Sequence, residues 1–141
     1  MRGKSAKPSR RALQALLDSE RFIRPWGFRV ESLRNGSCTI RLPFRRTLER
    51  PGGIVNGPAL MAAADCAMWL AIKAHLGMDR DALTSELNTT FLSPAIREAV
   101  LCTARILKPG RRRIYGVAEC HSRSGKLYSH HTVTYVPIED A

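Results

Sequence analysis

Asp65 is the residue of this chain best suited to do chemistry. It stands in AAADCAM, within a run from 58 to 76 whose only other polar side chains after Pro58 are Lys73 and His75. An ionised carboxylate among alanine, cysteine and methionine is expensive unless something pairs with it or uses it. The plainer account turns Asp65 toward a polar edge or a backbone donor. The functional account makes it a general base or nucleophile at the end of an apolar pocket. A second element lies at Gly57. The N–H groups at a helix start have no intrahelical acceptor and sit at the positive end of the helix dipole. They are suited to polarise a carbonyl oxygen. Gly52, Gly53 and Gly57 let a substrate come close to the backbone; an ordinary glycine-bearing turn is the alternative.

Spacing limits how the two elements can cooperate. Positions 57 and 65 are about 12 Å apart along one helix, whereas a carbonyl and its attacking group must meet within about 3–3.5 Å. One helix cannot bring both to one substrate. Two antiparallel copies can, with Gly57 of one facing Asp65 of the other. Joint use therefore requires a symmetric dimer with two equivalent sites at its interface.

The elements that hold these groups follow from periodicity and turn residues. The run 58–76 is apolar on every side and predicts a buried helix of about 28 Å. Asn56 is its N-cap, Pro58 suits its first turn and Gly77 its C-terminal cap. Residues 9–22 predict a short helix capped by Ser9, with Leu13, Leu16 and Leu17 on one face, broken by Arg24-Pro25-Trp26-Gly27. Residues 28–33 alternate as a strand, with Phe28, Val30 and Ser32 on one side. Asn35-Gly36 is a hairpin signal, and 37–42 returns. Four strands follow over 83–91, 100–107, 113–121 and 126–136, with turns at Pro109-Gly110 and Ser124-Gly125. Consecutive hairpins imply an antiparallel sheet. The expected class is α+β: a curved antiparallel sheet wrapped around one long central helix, with a short N-terminal helix.

At 141 residues, 44% hydrophobic and 25% charged, the chain is expected to form one domain with a core that needs no disulfide or metal. The apolar run 58–72 is too short, and too interrupted by Asp65, to be read as a membrane span. The net charge of +11 is concentrated at the front, where residues 1–50 carry +9. Residues 1–8 read as a basic flexible tail and 9–141 as the single domain. The Arg- and Ser-containing start is similar in composition to a transit peptide, but no secretory apolar region follows it. RNA- and DNA-recognition signatures are absent, so a nucleic-acid partner is not expected. Cys38, Cys66, Cys102 and Cys120 form no CxxC pair and match no zinc spacing. They read as buried reduced thiols of a cytoplasmic protein without a metal site. His75, His121, His130 and His131 lack a partner for a triad or metal cluster.

GGIVNGPALMAAADCAMWLA, followed in order by LTSELNTTFLSPA, GRRRIYGVAEC and SGKLYSHHTVTY, resembles the hotdog-fold thioesterases, in particular the phenylacetate-degradation type of acyl-CoA thioesterase. The resemblance covers residues 28–136. It implies the hotdog fold, protomers that pair, dimers that pair again, and hydrolysis of an acyl-CoA thioester to free acid and CoA. Asp65 would attack the thioester or activate water, and the N–H at Gly57 of the partner subunit would polarise the carbonyl. A strand hydroxyl near the carboxylate maps to Thr84, with Ser85 beside it. No cofactor is implied, since CoA is part of the substrate. Its phosphates need cations, which Lys108, Arg111, Arg112 and Arg113 would supply; a solvated basic hairpin is the alternative.

Two positions depart from the family pattern. Asn56 stands where His is common before the helix. It can donate to a thioester oxygen or cap the helix, but it cannot act as an imidazole. Arg50 stands where Asn is common, and could contact a substrate carboxylate, pair with Asp65 or face solvent. The missing His also motivates a reading from another class, a non-catalytic acyl-CoA-binding hotdog protein.

Overall fold

A 20-residue helix without a polar face needs a sheet wrapped around it, and the chain supplies one. The computed structural model describes residues 7–138, so most of the expected tail of residues 1–8 lies outside the described residues. In chain order the elements are α1 (Arg10–Ser19), β1 (Arg29–Arg34), β2 (Ser37–Leu42), β3 (Glu49–Arg50), β4 (Ile54–Val55), α2 (Gly57–Leu76), β5 (Asp81–Phe91), β6 (Val100–Pro109), β7 (Ile114–His121) and β8 (Leu127–Ile138). Six strands form one antiparallel sheet in the order β1-β2-β6-β7-β8-β5. β3 and β4 make a small separate ribbon just before α2. The sheet curves around α2, and this is the hotdog fold.

The hairpins β6–β7 and β7–β8 form as expected, but β5 does not pair with its successor. It lies on the far edge beside β8, while β6 pairs with β2. The helix carries the chain across the sheet, so the strand after it enters at the opposite edge.

Alanines 59, 63, 64, 67 and 71 of α2 are buried and keep the rod thin, so strands approach closely. One close approach is at Gly116 of β7, where a Cβ would strike the Met68 methyl and the Arg105 carbonyl. Burial of side chains such as Met68, Leu70 and Ile72 contributes about 1.5–3 kcal/mol each. Both predicted caps are present: the Asn56 side chain accepts from the Ala59 N–H, and the Gly77 N–H donates to the Lys73 carbonyl. This helix has the length and composition to cross a membrane, contrary to the expectation from the shorter run 58–72. Its apolar surface is instead taken up by the sheet, with 67% of that stretch buried.

Two local departures shape the site. α1 ends at Ser19, short of residue 22, because the N–H groups of Ile23 and Arg24 both turn back to the Glu20 carbonyl. A short 3-10 turn (Arg24–Trp26) follows, closed by Gly27 at a φ of 72°. In β1 a bulge between Val30 and Ser32 shifts the register. Val30 is therefore buried while Ser32 faces out, and Leu33 packs on the core.

Candidate active site

Asp65 lies midway along α2, partly buried, with its side chain against the start of β5 and the end of β8. Thr84 and Tyr135 are register partners in the β5–β8 pair, so their side chains share the face toward the helix. Thr84 Oγ1 donates to Asp65 Oδ1 at 2.7 Å. The Tyr135 hydroxyl is also 2.7 Å from Oδ1 and lies 2.9 Å from the Asp65 backbone carbonyl oxygen. Burial, and then the Asp65 charge, push the Tyr135 phenol far above its ordinary range, so it remains a neutral donor. Among the described residues, Oδ2 of Asp65 has no hydrogen-bond partner. Two donors thus converge on one oxygen of the carboxylate.

A β-bulge decides which hydroxyl reaches the carboxylate. The β5 register shifts between Thr84 and Glu86, leaving Ser85 as the extra residue. Ser85 Oγ is bonded to the Thr134 carbonyl at 3.3 Å and does not line the cavity. Tyr135 was not singled out in the sequence. Its only signal there is its place in the alternation of the last strand.

The cavity beside Asp65 has a volume of about 390 Å³. One wall is a face of α2, where Ala62, Asp65, Cys66 and Trp69 recur at helical spacing. The second wall is residues 81–84 of β5, and the third is the turn from Glu20 to Phe28 with Phe22, Ile23 and Trp26. In the sequence, residues 20–22 read as helix and 24–27 as a simple break. Cys66 is buried, and its thiol is pushed up far beyond its usual range by burial and then by the Asp65 charge.

Gly57 opens a second pocket of about 420 Å³, bounded by Arg50, Leu60 and Phe91 among others. A Cβ at Gly57 would come within 2.9 Å of the Phe91 ring, so this approach needs glycine or a displaced ring. The two pockets share no lining residue. Within one protomer, Asp65 and Thr84 come together, Gly57 and Arg50 come together, and the two groups stay apart. Arg50 is exposed and makes no ion pair with Asp65. The Asn56 amide is committed to structure: Oδ1 accepts from the Ala59 N–H at 2.8 Å, and Nδ2 donates to the Leu48 carbonyl at 2.9 Å.

Lys108 and Arg111 to Arg113 are exposed around the β6–β7 turn. Ile114, next to Arg113, pairs with Tyr135, which pairs with Thr84. The basic turn thus leads into the strand position about 10 Å from Thr84, across two strand spacings. The histidines are elsewhere. His131 is buried on Thr89 and Ser129, His130 pairs with Glu119, and His121 bonds Thr103. Among the described residues, no three His, Cys, Asp or Glu side chains are placed to share a metal ion.

Residues 52–129 match the Thioesterase superfamily, and the chain belongs to that family. Its class is therefore hydrolase, acting on thioesters. Among solved structures it is similar to conserved protein PA5202 from Pseudomonas aeruginosa, with 28% identity, a TM-score of 0.82 and coverage of 93% of this chain and 100% of that one. It is also similar in fold to thioesterase HI1161 from Haemophilus influenzae, with 18% identity, a TM-score of 0.87 and coverage of 96% and 94%. A Thermoplasma acidophilum protein provisionally named an esterase, Ta0293, is 28% identical over 123 residues, spanning 87% of this chain and 92% of the relative.

Proposed function

We propose that this protein hydrolyses acyl-CoA thioesters to free acid and CoA, as a homodimer. The observation that carries the reading is the Asp65 carboxylate, held through Oδ1 by Thr84 and Tyr135 on the wall of a cavity rich in apolar side chains. Asp65 takes a proton from water as the water oxygen bonds to the acyl carbon. The carbonyl oxygen then carries negative charge, which the N–H at Gly57 of the partner subunit stabilises. Collapse expels the CoA thiolate, and the proton returns to sulfur. The direct route differs in one respect: Asp65 itself bonds to the acyl carbon, and water then opens the anhydride. Neither route calls for a cofactor.

The dimer reading is supported by β5, an unpaired sheet edge carrying exposed Leu83 and Phe91. The Asp65 cavity lies at the start of this strand and the Gly57 pocket at its end. Antiparallel pairing of two β5 strands sets the start of one beside the end of the other, so each cavity meets the opposing pocket. Asn56 acts as a positioning residue that fixes the helix start, and Arg50 brings a cation to the completed site. Lys108, Arg111, Arg112 and Arg113 suit the CoA phosphates. The rings of Phe22, Trp26, Phe28 and Trp69 suit an aryl-acyl group, as in the phenylacetate-degradation type. Pairing of dimers rests on the family resemblance. Four free, buried cysteines fit a reducing compartment, and we assign the protein to the cytoplasm.

The test is turnover of an acyl-CoA panel with free-thiol detection. Asp65→Asn should lower kcat by at least about a hundredfold. Equal rates would exclude Asp65 from the chemistry. Tight binding by the wild type without turnover would favour the acyl-CoA-binding reading instead.

A further inference from the structure

We propose that Trp69, pinned by Asp81 and Lys73, is the stop at the far end of the acyl cavity and sets the length of acyl group accepted. The inference rests on the acyl-CoA reading and adds the substrate class: neutral acyl groups of short to medium length.

Two walls of the cavity run from Asp65 toward Trp69. On α2, Trp69 is one turn beyond Asp65 on the same face, about 6 Å toward the helix C-terminus. On β5, Thr84 is beside Asp65, and Asp81 is bonded to Trp69. Those two strand positions are about 10 Å apart. An acyl chain attached at the Asp65 end and following both walls runs toward the indole.

The indole is held at its edge and flanked by a cation. Its N–H donates to Asp81 Oδ1 at 2.8 Å, and the same oxygen accepts from the Ala82 N–H at 2.8 Å. Lys73 Nζ is 3.7 Å from that oxygen and 5.8 Å from the indole centroid. The lysine is itself buried, donating to the Arg80 carbonyl at 2.7 Å. A ring fixed by a linked polar network swings aside less readily than one held by packing alone. Beside the ring is the Asp81 carboxylate, 46% exposed. A hydrocarbon tail that passed Trp69 would have to desolvate that charge, and so would an acyl group ending in a carboxylate. Lys73, a buried cation on a largely apolar helix, is a positioning residue here.

The experiment measures kcat/KM, and Kd by calorimetry, for butanoyl-, octanoyl- and hexadecanoyl-CoA on wild type, Trp69→Ala, Trp69→Phe and Asp81→Ala. The wild type should favour octanoyl over hexadecanoyl by about tenfold or more. Trp69→Ala should raise the hexadecanoyl-to-octanoyl ratio by at least about tenfold. Trp69→Phe keeps a ring without its donor, and it should give an intermediate ratio, as should Asp81→Ala. A wild-type profile flat in chain length, or a ratio unmoved in every folded variant, overturns the proposal. If no thioester is hydrolysed but binding keeps the length cut-off and its release in the variants, the thioesterase reading falls and the stop stands. If none is bound either, both fall.

Discussion

Thr84 and Tyr135 stand opposite one another on β5 and β8 and place their hydroxyl groups at the same distance, 2.7 Å, from one oxygen of Asp65. The carboxylate is thereby oriented by two neutral donors from two strands. Thr84→Val and Tyr135→Phe should each lower kcat by about tenfold, or about 1.4 kcal/mol, with a smaller change in KM. The double variant should lose less than the product of the two, because both act through one oxygen. Stopped-time assays across substrate concentration check this. A loss confined to KM would mean that the hydroxyls bind substrate instead.

If Asp65 and Gly57 serve one substrate from different chains, each can be disabled separately and restored by mixing. Gly57→Pro removes the N–H at the first helical position, where the backbone accepts proline once the Phe91 ring moves aside. Asn56 is already extended, with φ −66° and ψ 150°, as a residue before proline must be. Homodimers of Gly57→Pro and of Asp65→Asn should both be nearly inactive. Unfolding and refolding the two together should restore activity, since half of a random mixture is heterodimer with one intact site. No recovery, with mixed dimers confirmed by native mass spectrometry, argues for a site within one chain.

Asn56 should show itself chiefly in stability. Asn56→Ala loses the cap on the Ala59 N–H and the tie to Leu48, and should cost about 0.5–2 kcal/mol in urea unfolding. Asn56→Asp keeps an acceptor for the cap and should recover part of it. Specific activity of the folded fraction of Asn56→Asp should remain within about threefold of the wild type.

Glu31 links β1 to the β7–β8 turn through two contacts with Arg123, at 2.8 and 3.3 Å, and has Arg41 at 3.5 Å. The Arg123 hydrogen bonds, and then the charges of Arg123, Arg41 and Arg10, overcome desolvation and hold its carboxyl below the ordinary 4.5. The sign follows from linkage. The contribution is fully present above about pH 4.5 and is lost as pH falls through the lower folded value. Wild type should melt above Glu31→Gln at neutral pH, with the gap closing in acid below that point. A gap that widens on acidification contradicts the assignment.

Asp65, the long helix and both its caps could be read directly, because a charge in an apolar run and Asn or Gly at its ends are local signals. So could the separation of Gly57 from Asp65 within one chain, which follows from helix rise alone. The choice of Thr84 over Ser85 could not be settled, since it depends on one unpaired residue in a strand whose alternation reads equally well in either phase. Tyr135 is an ordinary member of an alternating strand, and its partner is far away in sequence. The wall from Glu20 to Phe28 was hidden for a related reason: α1 stops at Ser19 through a backbone turn. The place of β5 at the far edge depends on where the helix delivers the chain, which no local pattern encodes.

Cys66 sits next to Asp65 in sequence and on the wall of the same cavity, yet its sulfur remains protonated. A thiolate there would compete with water for every acyl group, and the enzyme would label itself. Burial and the adjacent carboxylate charge together silence this sulfur. One environment thus selects for oxygen chemistry over transfer between thiols, in a reaction that itself releases a thiol.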